Sequence, residues 1–155
     1  MMRAHPRSYS VILKWISLAA YLLLVVVAVI LVAQHSILAN DVIGIVAQIV
    51  AALLMLWARL TFGARSFHAG ANPTKGSLVT TGPYRFLRHP IYASILLFTF
   101  AAVRSHLTWA NFSLALVAAA AVAARIAAEE RLLVKQYPEY EAYAARTKRI
   151  VPFLL

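Results

Sequence analysis

Two groups of residues in this chain have the types and spacing that chemistry needs. The first is the stretch GPYRFLRHPIY, from Gly82 to Tyr92. His89 and Pro90 stand at the start of an apolar run, where proline suits the first helical position. The opening turn of that helix leaves N–H groups beside His89 and Tyr92. With Arg88 next to them they make a seat for an anionic group such as a carboxylate. A plainer reading makes Arg85 and Arg88 headgroup anchors and the two tyrosines part of an interfacial belt. The second group is Arg125, Glu129 and Glu130. Residues four apart share a helical face, so Arg125 and Glu129 can point together into a bundle. As an exposed ion pair they would contribute only about 0.3 to 0.5 kcal/mol. At membrane depth, where ionisable groups are costly, the same pair points to a functional site.

Other chemistries lack their residues. The chain has no cysteine, which excludes disulfides, thiolate metal sites and a cysteine nucleophile. Its five glycines never form a GxG pair, so no dinucleotide-binding fingerprint is present. His5, His35, His68, His89 and His106 have no zinc-ligand spacing. The sole aspartate, Asp41, falls in a different loop from His89 and offers no ready Ser-His-Asp triad.

The elements that must position these groups are set by hydropathy. The 155 residues are 63% hydrophobic and 13% charged, with mean hydropathy +0.76, which predicts an all-α integral membrane protein. A spanning helix needs about 20 apolar residues. Val11 to Ala33 is interrupted only by Lys14 and Ser17, and is read as a first span; a cleaved signal peptide is disfavoured because the run is longer than an h-region. Val42 to Phe62 is the second. The polar stretch Gly63 to Pro90 follows, then an apolar run from Ile91 to Arg104 that is short for a crossing, then Leu107 to Ala128, rich in alanine that lets helices approach closely. The last helix should run on to about Tyr137, with Pro138 opening an interfacial helix that carries Tyr140 and Tyr143.

Charge predicts the orientation. Of the 15 Lys and Arg residues, all but Arg104 fall in the N-terminus, the loop after span two or the C-terminal region. The positive-inside rule then gives four spans with both termini cytoplasmic. The formal charge of +10 reads as attraction to an anionic leaflet, not to nucleic acid. The organisation expected is one membrane domain, with two spans in 1–62 and a site-bearing half in 63–155.

The string LVTTGPYRFLRHPIY (Leu78 to Tyr92), followed by EERLL (Glu129 to Leu133) and YPEYEAY, resembles the isoprenylcysteine carboxyl methyltransferase family and its bacterial, phospholipid methyltransferase-like relatives. The resemblance covers roughly Phe62 to Phe153. It implies an S-adenosylmethionine-dependent methyltransferase of a bacterial inner membrane, its cofactor pocket on the cytosolic side. Leu78, Val79, Tyr84, His89, Pro90, Tyr92 and Glu129 would line that pocket, with Arg88 beside His89 at the anion seat. Arg125 would take the substrate-facing arginine position. A carboxylate acceptor could be held by Arg125 without a base, whereas an amine or thiol would need His89 or Glu130 to take a proton. The acceptor implied is a lipophilic or prenylated molecule entering laterally from the membrane lipids. The leader residues 71–77 and a slightly shorter spacing between Glu130 and Tyr140 depart from the family pattern. Competing readings are a nicotinamide-dependent sterol-type reductase, a small multidrug-type transporter and a scaffold. The transporter reading lacks the carboxylate that such proteins place in the first span.

Overall fold

The computed structural model describes residues 6–63 and 77–151, with side chains from residue 11 onward. Arg3, His5, Arg65, His68, Lys75, residues 71–76 and Phe153 lie outside the described residues, as does the side chain of Arg7. The described residues form helices α1 (Pro6–Ala33), α2 (Val42–Phe62), α3 (Pro90–Ser105), α4 (Trp109–Gln136) and α5 (Tyr140–Arg146), with a 3₁₀ turn at Gly82–Arg85.

Three of these helices, α1 over Val11–Ala33, α2 and α4, are long and apolar enough to cross a membrane. The expected third crossing is shorter: α3 has 16 residues. At 1.5 Å per residue that is about 24 Å, less than a hydrocarbon core of about 30 Å. α5 starts at Tyr140 with Glu139 as its cap, so Pro138 lies in the turn before the helix, not in its first turn.

Local chemistry sets the helix ends. Asp41 caps α2, its carboxylate accepting from Gly44 N–H at 3.1 Å, and Thr108 caps α4 through Asn111 N–H at 3.1 Å. Pro90 opens α3, where its missing N–H costs nothing. Gly82 turns the chain at φ +56, where a β-carbon would also collide with Thr61; both demands select glycine.

α1 packs along α4, α4 along α3, and α3 along α2. The alanine-rich α4 is the spine of this arrangement. Ala115, Ala118, Ala121 and Ala128 are buried, and Ala115 and Ala118 form a core with Val27, Leu31 and Val103. Outward-facing residues such as Val42, Leu53 and Leu60 are exposed, as lipid contact requires. At the end holding the α1–α2 and α3–α4 turns, Gln48 donates to the Ile37 carbonyl at 2.8 Å and accepts from Ala39 N–H at 2.9 Å. Arg104 meets Asp41 there at 3.0 Å, and Ser105 donates to the same carboxylate.

Candidate functional site

At the opposite end, the start of α3 comes against the last third of α4. Glu129 and Glu130 are adjacent on that helix and so project about 100° apart, which gives them different partners. Glu129 faces inward. Its Oε1 accepts from the Tyr92 hydroxyl and lies 3.2 Å from Arg125 Nη2, while Oε2 lies 3.8 Å from His89 Nδ1. Glu130 faces α5 and the C-terminal segment, pairing with Arg88 Nε at 3.0 Å and Arg149 Nη2 at 2.9 Å.

Arg125 is buried, at 4% exposure, so it is not the exposed partner of a surface pair. Its Nε donates to the Tyr92 hydroxyl at 2.6 Å and its Nη1 to the Ser17 carbonyl of α1 at 3.0 Å. Its guanidinium carbon lies 5.4 Å from the Tyr21 ring centroid and 5.5 Å from that of Tyr92, within cation–π range. One cation thereby ties α1, α3 and α4 at the site. Ser17 is itself buried, and its Oγ has no hydrogen-bond partner among the described residues.

His89 caps α3 and is buried. Its ring stacks on Tyr92 with centroids 5.7 Å apart. Nε2 lies 3.4 Å from Glu130 Oε1 without hydrogen-bond alignment. A buried ring nitrogen held only by so long a contact with a carboxylate keeps hydrogen-bonding capacity for a further group.

The segment before α3 is pinned by the chain after α5. Leu87 and Lys148 form a parallel bridge, Arg88 N–H donates to the Lys148 carbonyl at 2.7 Å, and His89 N–H to that of Arg149 at 3.0 Å. The Arg88 side chain donates to the Thr147 carbonyl at 2.7 Å and also to that of Ala144. Arg88 is therefore committed to Glu130 and to the end of α5, and it anchors the strap 147–150 instead of standing open beside His89.

Tyr143 donates to the Tyr84 carbonyl at 2.7 Å, and the Tyr84 ring packs on Phe62 at 5.4 Å. Leu78 packs against Tyr137, Tyr140 and Tyr143, and Val79 is half-buried beside it in sequence. Burial pushes the Tyr143 hydroxyl up to about 12, with Arg88 pulling the other way. Burial also raises Tyr84, aided by the neighbouring Tyr143, so both hydroxyls stay neutral at physiological pH.

Of the residues singled out from sequence, His89, Tyr92, Arg125 and Glu129 come together in one cluster opened by Pro90. Tyr84, Leu78 and Val79 belong to the neighbouring loop that α5 supports. Sequence reasoning missed Ser17, Tyr21 and Arg149. Ser17 was one of two polar residues in an otherwise apolar run, a signal that marked it.

The family model described as phospholipid methyltransferase matches residues 39–140, which takes in both α3 and the glutamates of α4. The chain is 32% identical over 114 residues to the nickel-cobalt-cadmium resistance protein NccN of Alcaligenes xylosoxydans xylosoxydans, covering 72% of this chain and 49% of that protein. The same identity and coverage hold for the cobalt-zinc-cadmium resistance protein CzcN of Cupriavidus metallidurans. The chain thus spans about half the length of these curated relatives. No solved structure matches it.

Proposed function

Because the chain belongs to the phospholipid methyltransferase family, a family of membrane methyltransferases, we propose that it transfers a methyl group from S-adenosylmethionine to a lipid-like or prenylated acceptor. The reaction would take place at the cytoplasmic end of the bundle. The observation that carries this reading is the largely buried sequence of contacts Arg125–Tyr92–Glu129–His89, which joins the two sequence clusters at one place.

The residues present fit such a donor. It brings a carboxylate, an ammonium and a sulfonium, and the site supplies a carboxylate in Glu129 and, in His89, a ring nitrogen held only by a 3.4 Å approach to Glu130. Glu129 and His89 would hold its polar end, with Tyr92, Tyr84, Leu78 and Val79 around it. When bound, the donor supplies an electrophilic methyl carbon on sulfur.

The work of the chain is positioning and exclusion of water. Tyr92 and Arg125 both bond Glu129 Oε1, fixing the carboxylate's rotamer and leaving Oε2 to face His89. Arg125, clamped between Tyr21 and Tyr92, is placed to hold an anionic acceptor head. For an amine or thiol acceptor a proton must leave, and His89 is the group able to take it, because Glu130 is occupied by Arg88 and Arg149. Lateral arrival of the acceptor from lipid agrees with the exposed apolar faces of α1 and α2.

The test is transfer of a labelled methyl from S-adenosylmethionine into a membrane extract by the purified protein, with identification of the labelled product. Binding of the donor in detergent should be lost in Glu129→Gln and His89→Ala. Unaltered affinity in both variants would remove the site assignment, and binding of a nicotinamide cofactor in place of the methyl donor would overturn the reaction class.

A further inference from the structure

A cleft of about 340 Å³ opens between the C-terminal end of α4 and α5, lined by Arg88, Glu130, Arg131, Val134, Tyr140, Glu141, Ala144 and Arg149. Arg88 is the one lining residue named for the methyl donor, and Glu130, which also lines the cleft, lies 3.4 Å from His89 Nε2, so the cleft adjoins that site without sharing its other residues. Three observations bear on what it would take.

The first is charge. Three guanidinium groups face two carboxylates in the lining, an excess of one positive charge. The Glu130 carboxylate is already matched by Arg88 and Arg149. A ligand with a single negative charge balances the cleft, as a phosphodiester does; arginine forks suit phosphate oxygens in particular.

The second is an underused donor. Tyr140 is 3% exposed, and its hydroxyl stands beside the Glu130 carboxylate without a well-formed hydrogen bond among the described residues. A buried hydroxyl is costly to leave unmatched, so an acceptor atom in the cleft would complete it.

The third is depth. α4 begins at Trp109, which is 87% exposed, as an aromatic residue at a membrane interface would be. A hydrocarbon core of about 30 Å at 1.5 Å per residue takes about 20 residues of helix, and ends near Glu129. Arg131 and Val134 stand within the next two turns, at the level of lipid phosphates.

We propose that this cleft is a seat for the phosphate of an anionic phospholipid, with Arg131, Arg149 and the Tyr140 hydroxyl taking the phosphate oxygens and Val134 and Ala144 lining the glycerol side. The proposal is independent of the methyl-transfer reading and is tested without it.

The full chain in detergent is titrated with dioctanoyl phosphatidylglycerol, with dioctanoylglycerol as the phosphate-free control and with inorganic phosphate as competitor. Bound lipid is followed by native mass spectrometry. Phosphatidylglycerol should bind more tightly than dioctanoylglycerol, and Arg131→Ala should weaken it about fivefold, the value of one surface cation toward anionic lipid. Tyr140→Phe, which removes only the hydroxyl, should weaken it in the same direction. The unfolding midpoint in detergent is measured for both variants to establish that the fold is kept. Equal affinity for the two lipids, or unchanged phosphatidylglycerol affinity in both variants, overturns the proposal. Full displacement by inorganic phosphate at equal concentration overturns the lipid as the source of the phosphate.

Discussion

The two ends of the bundle carry the same kind of pair, an arginine on one helix against a carboxylate, and put it to opposite uses. Arg104 and Asp41 meet at 3.0 Å with side chains 49% and 35% exposed. Asp41 is also capping α2 and accepting from Ser105, so nearly every polar group there serves to close turns. Only Asn111 Oδ1 is left over among the described buried side chains at that end. Arg125 and Glu129 meet at 3.2 Å with side chains 5% and 20% exposed, and around them Ser17 Oγ and His89 Nε2 have no hydrogen-bond partner among the described residues, Nε2 only approaching Glu130 Oε1 at 3.4 Å. A staple satisfies its own groups, whereas a site keeps some in reserve. The comparison can be broken by mutation at either end.

The largest effect is expected from Arg125→Ala. It leaves Glu129, 20% exposed, without its cation and frees the Ser17 carbonyl, and should cost about 3 kcal/mol, the lower end of the range for a broken buried pair. Unfolding in detergent measures this. The double variant Arg125→Met with Glu129→Leu should recover much of the stability, because a buried pair replaced by apolar side chains is often neutral. Methyl transfer should stay absent in it. Recovery of activity along with stability would show that the pair only holds the helices together. The matching change at the other end, Arg104→Ala, should shift unfolding little, since an exposed pair contributes little.

A smaller effect is expected from Tyr143→Phe, which removes a buried hydrogen bond to the Tyr84 carbonyl and should cost about 1 to 2 kcal/mol. Because that bond holds the loop carrying Tyr84 against α5, donor affinity should fall with it. The measurement is an unfolding midpoint paired with a binding isotherm. Lost affinity at full stability would mean that the hydroxyl meets the donor itself.

The contrast between the ends also separates what could be read from sequence. Long apolar runs left little freedom for α1, α2 and α4, and Val42–Phe62 is a helix with the same bounds in the structure. The spacing of Arg125 and Glu129 likewise fixed their contact, because four residues on a helix is a local relation. The partners that come from elsewhere were not legible. Arg88 could be placed beside His89, but its long side chain chooses among carbonyls brought back by the chain after α5, a tertiary matter. The tie from Arg125 to the Ser17 carbonyl depends on how α1 lies along α4. A backbone acceptor has no sequence signature, and only the isolated serine in an apolar run hinted at it.

The smallest prediction concerns acid, and it asks whether the staple is electrostatic. The hydrogen bond from Ser105, then that from Gly44 N–H, and the charge of Arg104 hold the Asp41 carboxyl below its ordinary 3.8. A group whose pKa is depressed by folding stabilises the fold above its unfolded value, and that contribution is lost as pH falls through the folded value. Stability from this end should therefore be flat from neutral pH down to about pH 4 and decline below it. In Asp41→Asn the decline from this source should be absent, while the amide still caps α2. Unfolding midpoints of the two proteins, followed together into acid, should converge below that pH. Curves that stay parallel to the lowest pH would mean that Asp41 acts there as a hydrogen-bonding cap alone, with its charge contributing nothing to the joint between α2 and α3.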